Sequence, residues 1–172
     1  MNIEQMKDHA REMAAVYAFL VQDLAHRKHD VDAHNLCSAV VELHGHPVQT
    51  LYAYSNLSAL SKQIRERYRF IDGKVNAKLI DRGGMQDLHT EVRLINHINQ
   101  AGIQAGTVIS FFSARSVCPT CRSAILSAMR LWQGGGGLMA YEYKAERHGY
   151  ITDLVYPILA DPNAEQAAIP YS

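Results

Sequence analysis

The sequence lacks the features of a membrane protein or a disulfide-stabilised secreted domain. No apolar run approaches the ~20 residues that a helix needs to cross a bilayer, so we expect no membrane partner. The N-terminus carries Glu4, Asp8 and Glu12 instead of a basic segment followed by an apolar one, so we expect no cleavable signal peptide. Cysteine is scarce: there are three, an odd number, and two form Cys-x-x-Cys. This usage indicates a metal or redox site in a reducing compartment and argues against a disulfide framework.

Linkers and internal repeats are also missing. The chain has 172 residues, of which 48% are apolar and 20% are charged, an ordinary globular composition. This length allows one domain with a substantial core and is short for two. We therefore predict a single domain over residues 1–172, with an N-terminal helix in 1–30 and a core in 36–157.

Charge is balanced over the whole chain but unevenly placed along it. The formal net charge is zero, yet residues 62–130 contain eleven basic and five acidic side chains. A positive field of this kind can attract an anionic substrate such as a polynucleotide. A solvated charged face would have the same composition, so charge alone leaves both interpretations open.

Hydrophobic periodicity predicts an alternation of helices and strands. Apolar residues spaced by three and four predict helices, and short runs rich in β-branched and aromatic residues predict strands. The predicted order is a helix over 2–28, strands at 36–43 and 48–54, a short helix after 56, a helix over 88–101, a strand at 107–112, a helix from 118, and strands at 138–144 and 150–156. About five residues separate the last two strands, too few for a parallel crossover, so that pair should be antiparallel. The fold class is α/β, a three-layer α/β/α sandwich around a mixed five-stranded sheet.

Two short segments contain the residue types of a metal site. The first is Leu88-His89-Thr90-Glu91-Val92, and the second is Val117-Cys118-Pro119-Thr120-Cys121-Arg122. His89, Cys118 and Cys121 make three ligands, the number that a catalytic zinc site uses when it keeps one position open. Each segment falls at a predicted helix start, where the helix dipole and free N–H groups favour thiolates. Two helix starts that face each other would bring the three ligands together.

Other uses of these residue types fit the pattern less well. A structural zinc knuckle would need a fourth ligand, and the chain has no second cysteine pair. A redox Cys-x-x-Cys would leave His89 and Glu91 unexplained. Cys37 lies within a predicted strand and is interpreted as a buried core thiol.

The two segments resemble the zinc-dependent cytidine deaminase-like superfamily, in which His-x-Glu precedes Cys-x-x-Cys. The stretch from Ile109-Ser110-Phe111-Phe112-Ser113 through Cys121 is most similar to the nucleic-acid deaminase domains of bacterial polymorphic toxins. The resemblance covers about 36–157 and implies Zn²⁺ held by His89, Cys118 and Cys121, with Glu91 as the proton shuttle. Val117 occupies the position of the usual proline before the first cysteine, and the N-terminal helix is outside the resemblance.

The resemblance implies hydrolytic deamination of cytosine to uracil in DNA or RNA, with a single strand favoured over a duplex. The protein would act in the cytoplasm, or be delivered into a target cell's cytoplasm by a dedicated secretion system and be neutralised by an immunity protein. Tyr54, Asn56, Ser113 and Arg115 are the candidate substrate contacts. Two alternatives remain: deamination of a free nucleoside or nucleotide, and a non-catalytic zinc module that binds a partner.

Overall fold

The structure is a computed structural model that describes residues 3–26, 35–42, 47–71, 89–100, 108–133, 139–143, 151–158 and 168–172. The described helices are α1 (Ile3–His26), α2 (Lys62–Arg67), α3 (Thr90–Gln100) and α4 (Pro119–Gln133). The described strands are β1 (Leu36–Val41), β2 (Gln49–Tyr54), β3 (Val108–Ser113), β4 (Met139–Glu142), β5 (Leu154–Pro157) and β6 (Ile169–Pro170). The α/β class is confirmed, as is the predicted order of elements up to β5. None of the described helices is both long and apolar enough to cross a membrane.

The sheet is mixed, with the strand order β2-β1-β3-β4-β5-β6. The predicted hairpin is confirmed, because β1 and β2 pair antiparallel with Leu36 opposite Tyr54. The predicted antiparallel pairing of β4 with β5 is also confirmed. The expected number of five strands was wrong, since β6 adds a sixth strand at the edge, antiparallel to β5. β6 is only two residues long, so it has no periodicity from which a strand could be predicted.

Alternate side chains of the strands supply two separate apolar clusters, one on each face of the sheet. Cys37 and Phe111 belong to the cluster that also contains residues of α3 and α4, whereas Phe112 and Tyr141 belong to the cluster that contains α1. This division follows from the two-residue period of a strand. Helix α1 contributes its periodic apolar face, each residue at most 2% exposed: Met6, Ala10, Met13, Tyr17, Leu20 and Leu24. The N-terminal helix therefore packs on its own sheet.

His9 is a buried polar residue between α1 and the sheet. Its Nε2 lies 2.8 Å from Ser38 Oγ on β1, and its Nδ1 lies 2.5 Å from Ser110 Oγ on β3. The ring also contacts Phe112 edge-on, with 4.7 Å between centroids. Burial lowers the pKa of His9 to about 3, because a charged imidazole would lose its hydration there. The ring is therefore neutral at physiological pH and joins α1 to two neighbouring strands.

Helices α3 and α4 pack against each other on the opposite face of the sheet. Trp132 near the end of α4 is 1% exposed, and its indole Nε1 donates a 2.8 Å hydrogen bond to Asn99 Oδ1 near the end of α3. Ile98 and Ile125 are fully buried in the same cluster. This packing fixes the relative position of the two helices, and with it the relative position of their starts.

Candidate metal centre

His89 and Cys118 immediately precede the first residues of α3 and α4. The first helical hydrogen bond of α3 runs from the Arg93 N–H to the His89 carbonyl at 3.0 Å, and that of α4 runs from the Arg122 N–H to the Cys118 carbonyl at 2.8 Å. The Cys118 sulfur also accepts a 3.3 Å hydrogen bond from the Cys121 N–H, as a cap residue does. The expected position of His89 and Cys118 at two helix starts is thus confirmed.

The structure brings His89, Cys118 and Cys121 together, with one ligand atom of each within 4.8 Å of the others. His89 Nδ1 lies 3.0 Å from Cys121 Sγ and 3.6 Å from Cys118 Sγ. Tetrahedral zinc with ordinary bond lengths separates a nitrogen and a sulfur ligand by about 3.5 Å. Cys121 is buried, and His89 and Cys118 are partly exposed. The donor set and its spacing therefore fit a metal ion that is accessible from one side.

Glu91 lies beside this cluster, in the first turn of α3 and only 5% exposed. Its Oε1 accepts hydrogen bonds from Asn35 Nδ2 at 2.8 Å and from Ser113 Oγ at 3.3 Å. Burial, followed by the charge of Glu91, raises the pKa of the Cys121 thiol, and a hydrogen bond between these two side chains acts in the same direction. A bound cation would reverse this preference and favour the thiolate. The carboxylate is therefore close enough to the ligand set to affect its protonation.

Asn35, just before β1, is a site residue that the sequence did not reveal. Its backbone N–H donates to Ser55 Oγ at 2.9 Å, and its carbonyl accepts from the Ser55 N–H at 3.1 Å. Its side-chain nitrogen bonds Ser113 Oγ at 3.0 Å as well as Glu91. Its side-chain oxygen is buried and has no hydrogen-bond partner within the part of the chain that the structure describes. That oxygen is an acceptor beside Glu91 that a bound molecule could use.

Three side chains form a row across the sheet beneath the cluster. Cys37 on β1 is opposite Ser113 on β3, and Ser113 is opposite Glu142 on β4. Cys37 is fully buried, and burial, followed by the charge of Glu91, raises the pKa of its thiol. It lies outside the His-Cys-Cys group, in agreement with its interpretation as a core thiol. Ser113 and Glu142 both bond to groups at the centre.

The candidate substrate contacts are dispersed. Ser113 is at the centre, and its hydroxyl oxygen lies 2.8 Å from the Arg115 carbonyl as well as 3.3 Å from Glu91 Oε1, so these two acceptors compete for its one proton. The Arg115 backbone therefore lies at the centre too. Asn56 is partly exposed and accepts a 2.9 Å hydrogen bond from Ser58 Oγ. Tyr54 is 3% exposed and belongs to the cluster on the α1 face, opposite the metal centre. A substrate role for these four residues stays a prediction.

The basic segment is described only in part. Arg65, Arg67 and Arg69 are exposed, and the Arg67 guanidinium lies 4.6 Å from the centroid of the Phe19 ring. Three further basic residues of this part of the chain, Lys74, Lys78 and Arg82, lie outside the described residues. The described part of the segment therefore exposes cationic side chains, as the charge pattern predicts.

Comparison of the chain with protein-family models, curated proteins and solved structures gave no match.

Proposed function

We propose that the protein is a zinc-dependent hydrolase that deaminates cytosine to uracil in a polynucleotide. The observation that carries this proposal is the buried carboxylate of Glu91 beside three convergent ligands. A purely structural zinc site is closed by four protein ligands and needs no carboxylate. Three ligands with an adjacent carboxylate match the arrangement in zinc nucleobase deaminases, where the glutamate is not a ligand.

His89, Cys118 and Cys121 would hold the ion. Zinc supplies Lewis-acid chemistry that makes water nucleophilic near neutral pH. The imidazole is neutral and the two sulfurs are thiolates in such a set, so the ligands offset the charge of the cation. The approach of the substrate would be from the side on which His89 and Cys118 are partly exposed.

Glu91 moves the protons. Its carboxylate takes a proton from the water that attacks C4 of cytosine and delivers it to the ring nitrogen. It then takes the proton of the new C4 hydroxyl and delivers it to the amine as the C4–N bond breaks. The products are uracil and ammonia, so the overall reaction consumes one water. Asn35 holds Oε1 of Glu91 in place while the protons move, which reduces the reorganisation that the reaction requires.

Several features favour the cytidine deaminase-like superfamily and its three-layer α/β/α sandwich. Helices pack on both faces of the sheet, the ligands are at two helix starts, and β4 pairs antiparallel with β5. In this proposal the chain is a toxin-type effector domain, counteracted by an immunity protein and acting in the cytoplasm of a target cell.

A polynucleotide is favoured over a free nucleoside by the excess of basic over acidic side chains in residues 62–130. Cationic side chains bind phosphates, which a free nucleoside lacks. A single strand is the favoured form, because a paired base must first be extruded from the duplex at the cost of a few kcal/mol.

The test is a uracil assay on the purified, zinc-loaded chain. Matched cytosine-containing single-stranded DNA, duplex DNA, single-stranded RNA and free cytidine are incubated separately, with Glu91→Ala as the blank. We expect uracil in an oligonucleotide, formed faster than from cytidine and more slowly as salt increases, because phosphate binding releases counterions. Faster, salt-independent conversion of cytidine would point to a salvage enzyme. No uracil from any substrate would overturn deamination of cytosine.

A further inference from the structure

Glu142, at the end of β4, is a buried carboxylate for which the proposed chemistry has no use. Among the residues that the structure describes, Glu91 and Glu142 are the buried acidic side chains, and Glu142 is 3% exposed. Its Oε2 accepts a 2.7 Å hydrogen bond from the backbone N–H of Val117. Its Oε1 lies 3.9 Å from a guanidinium nitrogen of Arg122.

These two partners flank the metal-binding motif. Val117 immediately precedes Cys118, and Arg122 immediately follows Cys121. A single side chain on a neighbouring strand therefore holds the Cys-x-x-Cys segment at both of its ends. Glu142 can contact this segment because of the register between β3 and β4. It pairs with Ser113, the last residue of β3, and β3 leads into the segment.

The energetic cost of burying Glu142 implies a specific role. A buried carboxylate without partners is strongly destabilising, and Glu142 is tolerated because a backbone donor and a cation pair with it. Val117 is 7% exposed, and its N–H is paired with this carboxylate. The usual proline at this position has no N–H. This chain has a valine at that position, and the hydrogen bond from the Val117 N–H to Glu142 restrains the segment instead.

We propose that Glu142 is a positioning residue of the metal centre: it holds the backbone on both sides of Cys118 and Cys121 so that their sulfurs converge with His89. This inference depends on the metal-binding part of the proposed function and not on the identity of the substrate. Its test can therefore be read without any deaminase assay.

The test compares zinc affinity in three full-length variants, measured by competition with a chromogenic chelator. Glu142→Gln keeps an acceptor for the Val117 N–H but loses the charge that pairs with Arg122. Glu142→Leu loses both. Glu66→Gln is the matched control, because Glu66 is an exposed carboxylate on α2 that forms a 3.6 Å ion pair with Lys62.

We expect affinity to fall by about 10- to 100-fold in Glu142→Leu, less in Glu142→Gln, and not at all in Glu66→Gln, as is typical of groups that orient metal ligands. Cobalt absorption provides the second measurement, since a displaced thiolate changes the ligand-field bands whereas a loss of global stability alone does not. Equal affinities and equal cobalt spectra in the parent and Glu142→Gln would overturn the proposal. If Glu142→Leu does not fold, Glu142→Gln decides the outcome.

Zinc binding by the parent protein distinguishes a failure of this inference from a failure of the proposed function. A parent that binds no zinc overturns the proposed function and this inference with it. A parent that binds zinc, with a Glu142→Gln variant that binds it equally well, overturns the role of Glu142 alone.

Discussion

The side-chain amide of Asn35 donates a 2.8 Å hydrogen bond to Oε1 of Glu91, a residue 56 positions further along the chain. An ionised carboxylate can only accept hydrogen bonds, so the nitrogen of the amide, and not its oxygen, must face Glu91. The backbone of Asn35 is itself held by Ser55, whose Oγ accepts from the Asn35 N–H and whose N–H donates to the Asn35 carbonyl. The proton carrier of the proposed reaction is therefore oriented before any substrate is bound.

Replacing Asn35 with alanine should slow catalysis without removing the metal. The carboxylate loses its shortest donor, and a misplacement of about 1 Å at a reacting group can cost on the order of 10²-fold in rate. We expect kcat to fall by about 10- to 100-fold with KM nearly unchanged, measured by uracil formation. Gln100→Ala, which removes an exposed amide at the end of α3, is the control. Loss of zinc from Asn35→Ala would show that Asn35 supports the fold of the site and not the carboxylate alone.

The metal content should depend on two of the three cysteines. Cys118→Ala and Cys121→Ala should reduce zinc from about one ion per chain to near zero and lower the melting temperature, because metal binding is coupled to folding. Cys37→Ala is the matched control, since Cys37 is buried nearby but lies outside the ligand group. Elemental analysis of freshly purified protein measures the result. Zinc lost equally in all three variants would contradict the ligand assignment.

Glu91→Ala should retain zinc and fold but lose activity. General acid–base catalysis contributes about 10²- to 10⁴-fold, so a decrease in kcat/KM of at least this size is expected. Elemental analysis and thermal unfolding check that the site and the fold are intact. If this variant binds no zinc, Glu91 is a ligand; if it deaminates as fast as the parent, another group carries the protons.

The stability of the fold should decrease in acid because of His9. The pKa of this side chain is about 3 in the folded protein and 6.5 as its ordinary value. As the pH falls below 6.5, the unfolded chain binds a proton that the folded chain does not, so the free energy of unfolding decreases until the pH reaches about 3. At about 1.4 kcal/mol for each pKa unit, the total loss is on the order of 5 kcal/mol.

Denaturant unfolding of His9→Gln and the parent, both stripped of metal, isolates this contribution. Removing the metal eliminates proton competition at the ligands, and the lowered pKa of His97 is common to both proteins. The variant should be less stable near pH 7, because a glutamine side chain cannot reproduce the two serine contacts of the imidazole ring. Its stability should also change less than that of the parent between pH 6.5 and about 3. Parallel pH profiles would show that His9 does not cause the decrease.

The residues predicted from sequence are those that local pattern determines. The helices, the hairpin and the antiparallel β4–β5 pair follow from periodicity and connection length, and His89, Cys118 and Cys121 follow from residue type at helix starts. Asn35 and Glu142 have no such local signature. Their roles arise because the strand order places them against segments 56 and 25 residues away. Tyr54 was predicted as a substrate contact but lies on the α1 face of the sheet. A change of one residue in register moves a strand residue to the other face, so the sequence alone did not determine which face Tyr54 occupies.

Trp132 is the single tryptophan of the chain, and it joins the two helices at whose starts the proposed ligands lie. Its indole is almost completely buried between them, where emission is blue-shifted relative to that of an indole in water. The protein thus contains an intrinsic fluorophore at the point where α3 and α4 meet. Separation of these helices can be followed by emission wavelength in real time, without a label, during chelation, unfolding or partner binding.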